Sequence, residues 1–167
     1  LCPERNDWQA TARAMGFTFH TLNGERYWDE RAYYAFSLEE IERGIEGPTA
    51  EIEAMCRELV NRAVDDDRYL RLLKIPEAYW TYIAASWKRN DPSLYGRMDL
   101  AFDGKGPAKL LEYNADTPTS LFEAAVFQWT WLKQAIERQI ISPRADQYNS
   151  LHESLIEAWK KAGKGQH

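Results

Sequence analysis

Apolar positions recur at helical spacing along most of the chain and switch to strict alternation in two places. Asn6 or Asp7 can cap a short helix over Trp8 to Met15, which Gly16 can stop. Phe17 and Phe19 then alternate with polar residues up to Asn23-Gly24, a tight-turn pair, and Tyr27-Trp28 return, so a small hairpin is expected. Ser37 with Glu40 three residues on is a capping box, opening a helix at Leu38 that should break near Gly44 or Gly47-Pro48. A second helix is expected from Pro48 to Val64, with Ile52, Met55 or Cys56, Leu59 and Ala63 on one stripe. The three acidic residues 65–67 read as a solvated junction or cap, and Tyr69 to Leu73 as a short helical piece. Pro76 opens a helix through Trp87, its Trp80, Ile83, Ala84 and Trp87 side read as core. From about Ser120 to Gln139 the spacing is helical again, with Ala124, Phe127, Trp131 and Ala135 inward, until Pro143 breaks it. A last helix is expected over roughly Asp146 to Lys161, with the final Gly-Lys-Gly-Gln-His fraying. There are no internal repeats.

The second alternating stretch, Ser93 to Asn114, carries the most information. Leu94, Met98, Leu100 and Phe102 share one face, and Tyr95, Arg97, Asp99 and Ala101 the other. Asp-Gly-Lys-Gly-Pro supplies turn residues, and in the returning half Leu111 and Tyr113 oppose Leu110, Glu112 and Asn114. A loop at Gly104 to Pro107 sets Asp103 opposite Ala108, Asp99 opposite Glu112 and Arg97 opposite Asn114. Met98 and Leu100 then share a buried face with Leu111 and Tyr113, so the register is coherent. The fold expected from these elements is a mixed α/β domain, with helices packed on a small, mainly antiparallel sheet.

Composition narrows the functional classes. The chain has 167 residues, 44% of them apolar, which is one ordinary domain or slightly more. Its net charge of −5 argues against a nucleic-acid partner and against an electrostatic membrane binder. No apolar run is long enough to span a membrane, and no secretory signal is visible. Cys2 and Cys56 have neither metal nor redox spacing and read as free thiols of a cytoplasmic protein. His20 reads as a polar surface or core residue rather than a ligand. The chain opens on Leu1 rather than Met, so its true start is expected to lie upstream.

The polar face of the hairpin raises the chemical question. It gathers Arg97, Asp99, Glu112 and Asn114, and directly opposed residues in such a ladder lie about 5 Å apart at Cβ. Paired carboxylates raise each other's pKa unless a cation compensates. Asp, Glu and an amide oxygen are hard donors suited to Mg²⁺, and an Arg beside a metal steadies a transferring phosphoryl group. A solvent-exposed cross-strand ion pair accounts for the same spacing, and such pairs are common. Asp116, Thr117, Thr119 and Ser120 follow at once and lead into a helix, whose start can bind carboxylate or phosphate or be capped by Thr119 or Ser120.

Three stretches, YWDERAYYAFSLEEIE, DPSLYGRMDLAFDGKGPAKLLEYNADTPTSLFEAAVFQW and ADQYNSLHESLIEAW, resemble the synthetase region of glutathionylspermidine synthases and their bacterial relatives. The Arg-Met-Asp and Glu-Tyr-Asn-Ala-Asp elements are the most specific parts. The resemblance implies an ATP-grasp fold, of which this chain is the pre-ATP-grasp-like N-terminal portion. It also implies a cytoplasmic ATP-dependent C–N ligase that joins the glycine carboxylate of glutathione to an amine of spermidine through an acyl phosphate, with Mg²⁺. Arg97 then stabilises the phosphoryl group and contacts the nucleotide, and Asp99, Glu112 and Asn114 hold the metal. Thr117 and Thr119 lie where the family uses small hydroxyl residues, commonly serines, to contact the peptide substrate; here the turn reads Thr-Pro-Thr. No Gly-rich phosphate loop or Lys-bearing strand pair is present, and Gly104 to Lys109 lacks Walker spacing. The chain is therefore expected to be part of a longer synthetase, inactive by itself. The competing expectation is a complete, non-catalytic module that binds a metal or a peptide carboxylate on the same face.

Overall fold

Local sequence rules account for most helix boundaries in the computed structural model, which describes residues 2–163. The elements in chain order are α1 (Trp8–Ala14), β1 (Thr21–Leu22), β2 (Glu25–Arg26), a π-helical segment (Glu40–Glu46), α2 (Gly47–Asp65) and α3 (Asp67–Leu72). A 3₁₀ turn (Glu77–Tyr79), α4 (Trp80–Arg89), β3 (Arg97–Ala101), β4 (Lys109–Asn114), a second π-helical segment (Glu123–Phe127), α5 (Gln128–Glu137) and α6 (Leu151–Gly163) follow. The class is mixed α/β as expected, with the strands in two separate two-stranded antiparallel sheets. The expected fraying at the end falls on residues 164–167, outside the described residues; Gly163 itself is helical. Among the described residues no helix is long and apolar enough to cross a membrane.

The chain divides into two compact units, 1–36 with 119–154, and 37–118 with 155–167. In the first, Trp8, Ala12, Phe17 and Phe127 form the core, with Trp28 and Phe122 packed against it. Phe17 and Trp28 meet the Phe127 ring edge to face at 4.9 and 4.8 Å, a geometry aromatic quadrupoles favour. His20 is buried beside Trp8, its Nδ1 2.9 Å from the Thr21 hydroxyl, so it is a core residue. The hairpin is shorter than expected. Phe17 and Phe19 precede the strands, and Asn23 and Gly24, both at positive φ, make the tight turn.

An ion pair that the sequence did not announce lies beneath this core. The Arg5 and Glu30 side chains are fully buried. Arg5 Nε donates to Glu30 Oε2 at 2.9 Å, its Nη2 donates to Oε1, and its Nη1 donates to Gln134 Oε1 at 2.5 Å. Trp28 Nε1 adds a 3.0 Å bond to the same carboxylate. Such a pair is tolerated only when its remaining donors and acceptors are met. Among the described residues no buried side-chain nitrogen or oxygen lacks a partner.

In the second unit the capping box forms as expected: Glu40 N donates to Ser37 Oγ at 3.2 Å, and Ser37 N donates to Glu40 Oε2 at 2.6 Å. The break expected at Gly44 or Gly47-Pro48 does not occur, because the helix passes through the wide π turn into α2. Pro48 explains the change. It has no N–H to give the Gly44 carbonyl, which instead accepts Ala108 N at 2.7 Å from the loop between β3 and β4. Gly44 also lies against the Phe102 ring, so closely that a Cβ there would stand 2.7 Å from a ring carbon. Helix and hairpin are thus joined at one residue.

Other differences have similar local causes. Ile52 and Ala63 of α2 are buried, but Met55 and Leu59 are exposed and Cys56 takes the inner position between them. The α4 stripe of Trp80, Ile83, Ala84 and Trp87 faces one way but is only half-buried. In the first unit the second π segment rotates the inward face, which becomes Ala125, Phe127, Leu132 and Ala135 in place of Ala124 and Trp131. α5 ends at Glu137, with Gln139 left-handed, so the helical run closes near the expected Gln139 and before Pro143 is reached. α6 starts at Leu151 rather than near Asp146, where Asn149 Oδ1 accepts Leu151 N at 3.4 Å. The junction at residues 65–67 is as expected: Asp66 is extended and caps α3 through Arg68 N at 3.1 Å.

Replacing Glu30 by Ala leaves the Arg5 guanidinium buried without its carboxylate, and a loss of about 3–5 kcal/mol is expected in urea unfolding. The double variant Arg5→Met with Glu30→Leu should recover most of that loss. Additive losses in the double variant would contradict the coupling.

Candidate functional site

The alternation that sorts β3 and β4 into two faces is set by their pairing. Arg97 pairs with Asn114, Met98 with Tyr113 and Asp99 with Glu112, as the sequence requires. A bulge then intervenes, so that Leu100 pairs with Leu110 and Ala101 with Lys109. The extra residue is Leu111, which is 71% exposed and does not join Met98 and Leu100 on the covered side. The bulge lies beyond the polar pairs, so Arg97, Asp99, Glu112 and Asn114 still share the other face.

Within that face Arg97 Nε donates to Asp99 Oδ1 at 2.7 Å and Nη2 to Oδ2 at 3.2 Å. The fork-to-carboxylate match is the strong form of such a bond. This hydrogen bonding holds the Asp99 carboxyl below its ordinary value of 3.8. Arg97 is raised in turn, first by Asp99 and further by the nearby charge of Glu112. Asn114 serves the turn that follows: its Oδ1 accepts Asp116 N and Thr117 N, each at 3.1 Å. Thr117 therefore has a fixed backbone next to the strand end. Thr119 belongs to the other compact unit, as does Ser120, a left-handed residue whose hydroxyl lies 3.5 Å from the Tyr27 hydroxyl.

Four of the six candidate residues thus meet on one strand pair, Thr117 follows them on the turn, and Thr119 falls in the first unit. Among the described residues no group of three or more His, Cys, Asp or Glu side chains converges as a metal cage. Asp99, Glu112 and the Asn114 amide are hard oxygen donors, which fits a Mg²⁺ ion that completes its shell with water and phosphate. Sequence reasoning missed the support behind this face. Tyr113 donates its hydroxyl to Glu53 Oε2 of α2 at 2.7 Å. Gly96, in a strand-like stretch just before Arg97, was the available signal, since glycine there marks a close approach.

The family model for the pre-ATP-grasp region of glutathionylspermidine synthases matches residues 1–167. The chain belongs to that family. It is 39% identical over 157 residues to a proposed acid–amine ligase of Haemophilus influenzae, covering 92% of this chain and 38% of the relative. It is 29% identical over 139 residues to the bifunctional glutathionylspermidine synthetase/amidase of Escherichia coli, covering 83% of this chain and 22% of that protein. A third relative, the trypanothione synthetase of Crithidia fasciculata, is 36% identical over 75 residues, 44% of this chain and 12% of its own length. The chain therefore spans less than two fifths of the length of these relatives.

The Arg97 fork sets a pH signature for this face. The folded Asp99 pKa lies below the unfolded value, so its contribution is present above about pH 4 and is lost as pH falls through the lowered pKa. A carboxyl-carbon NMR titration should place the Asp99 midpoint below 3.8, and Arg97→Ala should return it toward that value. An unmoved midpoint in the variant would remove the fork from the account.

Proposed function

We propose that this chain supplies one side of the reaction centre of an ATP-dependent carboxylate–amine ligase of the glutathionylspermidine synthase type. The observation that carries the reading is the single hairpin face on which Arg97, Asp99, Glu112 and Asn114 stand at paired register positions. The names of the relatives, synthetases and an acid–amine ligase, support the reaction class. The substrates are a glutathione-like peptide carboxylate and a polyamine-like amine. A substrate carboxylate oxygen attacks the terminal phosphorus of ATP, and ADP departs with the electrons of the broken P–O bond. The amine then attacks the acyl carbon and loses a proton, and phosphate leaves.

Each side chain has a defined part. Arg97, a planar cation with several donors, contacts the nucleotide phosphate and offsets the charge that spreads over the phosphoryl oxygens in transit. Asp99, Glu112 and Asn114 would hold Mg²⁺, which would neutralise phosphate charge and orient the transfer. Asn114 Oδ1 already accepts Asp116 N and Thr117 N, so a metal held by this amide would share its oxygen with the turn. Thr117, and Thr119 two residues on, contact the peptide substrate through their hydroxyls. The adenine-binding elements are not among the motifs of this chain, so the 167 residues alone are expected to leave ATP intact.

The test is ATP consumption with product mass, for the chain and for the full-length protein that contains it. In the full-length protein Arg97→Ala should lower kcat by about a hundredfold or more while changing nucleotide affinity little, because its bonds strengthen only in the transition state. Asp99→Asn should raise the Mg²⁺ concentration needed for half-maximal turnover. Normal turnover in the Arg97 variant, or robust turnover by the 167-residue chain, overturns the assignment.

A further inference from the structure

Tyr113 lies between Glu112 and Asn114 in sequence and points the other way. Strand alternation alone demands this, and the contacts behind the hairpin give it consequences. Its ring covers Gly96, the residue before Arg97, so closely that a Cβ at position 96 would stand 2.7 Å from ring Cε2 and 3.2 Å from the hydroxyl oxygen. Its hydroxyl donates to Glu53 Oε2 at 2.7 Å. Glu53 also faces Arg57 one turn further along α2, at 3.8 Å, and the Arg57 guanidinium lies 5.1 Å from the centre of the Trp87 ring on α4. Trp87 Nε1 closes the path by donating to Asn61 Oδ1 of α2 at 2.6 Å. One tyrosine therefore ties both strands of the hairpin to two helices, at the level where the polar face carries Arg97 and Asn114.

We propose that Tyr113 and Glu53 are positioning residues, whose hydrogen bond, with the ring seated on Gly96, fixes the height of Arg97, Glu112 and Asn114 for phosphoryl transfer. The inference rests on the ligase reading of that face. Neither residue touches the reacting atoms. Their effect is geometric, and transfer reactions are sensitive to sub-ångström placement. The phenol is well suited to the task. Its hydroxyl is a neutral donor aimed at a carboxylate oxygen 2.7 Å away, and its rigid ring carries that anchor to the strand. Gly96 is the third part of the device, because only a residue without Cβ admits the ring.

The experiment compares Tyr113→Phe, Glu53→Gln, Glu53→Ala and Arg97→Ala. In the full-length protein, Tyr113→Phe and Glu53→Ala should each lower kcat about tenfold with nucleotide KM within about twofold. Glu53→Gln should stay within about twofold of the parent, because its amide oxygen still accepts the phenol proton. An Ala63→Gly variant, destabilised by about 1 kcal/mol on the same helix, should keep its kcat and so separates positioning from general loss of stability. In the 167-residue chain, Tyr113→Phe should shift the Arg97 Nε–H and Asn114 side-chain NMR resonances, and Glu53→Gln should leave them in place. Unshifted resonances with parental kcat in Tyr113→Phe overturn the positioning role. If Arg97→Ala proves fully active, the ligase reading of the face fails, and the resonances still decide whether Tyr113 sets its geometry.

Discussion

A missing hydrogen atom seats the hairpin. Pro48 cannot donate to the Gly44 carbonyl, and that carbonyl becomes the acceptor for Ala108. An α-helix with an ordinary residue at position 48 would satisfy Gly44 internally and present nothing to the loop. Glycine at position 44 completes the arrangement by letting the Phe102 ring reach the helix backbone. Two residues that sequence rules treat as breakers here make a docking point within an unbroken helix. The other anchor of the hairpin, Tyr113 on Gly96, uses the same device of ring against bare backbone. Between them the strands are held at the loop end and at the open end, and their polar face stays available.

What could be read in advance follows from the range of the interactions concerned. The pairings of Arg97 with Asn114 and Asp99 with Glu112 were legible because one buried face allows a single parity of register. The capping box at Ser37 and Glu40 and the turn at Asn23-Gly24 were legible because each is settled within four residues. The bulge at Leu111 was not, since both parities of that leucine look alike until the partner strand is in place. The two π segments escaped for a related reason. A wide turn leaves no mark in composition, and its need arises from a partner such as Ala108, distant in sequence. The buried pair of Arg5 and Glu30 was invisible because charged residues are ordinarily assigned to the surface.

The candidate site divides along the same line. Its donors are strand residues, and a period of two collects them without knowledge of anything else. Its support, Glu53 and Gly96, depends on how α2 crosses behind the hairpin, and no local pattern reports that. Thr117 and Thr119 are separated by one proline in sequence yet fall in different compact units.

The buried pair near the start of the chain bears on the order of synthesis. Arg5 is made before most of its unit, and its guanidinium is completed by Gln134, which follows 129 residues later. Until then a charge destined for the interior stays in water. The intervening residues 37–118 hold most of the second unit and can assemble while the first still lacks its partner segment. Folding of the first unit therefore joins two segments that are separated by 82 residues of sequence, positions 37–118. That is the kind of non-local contact that slows folding. It also leaves the Trp8 and Phe17 surface uncovered until Phe127 has been made.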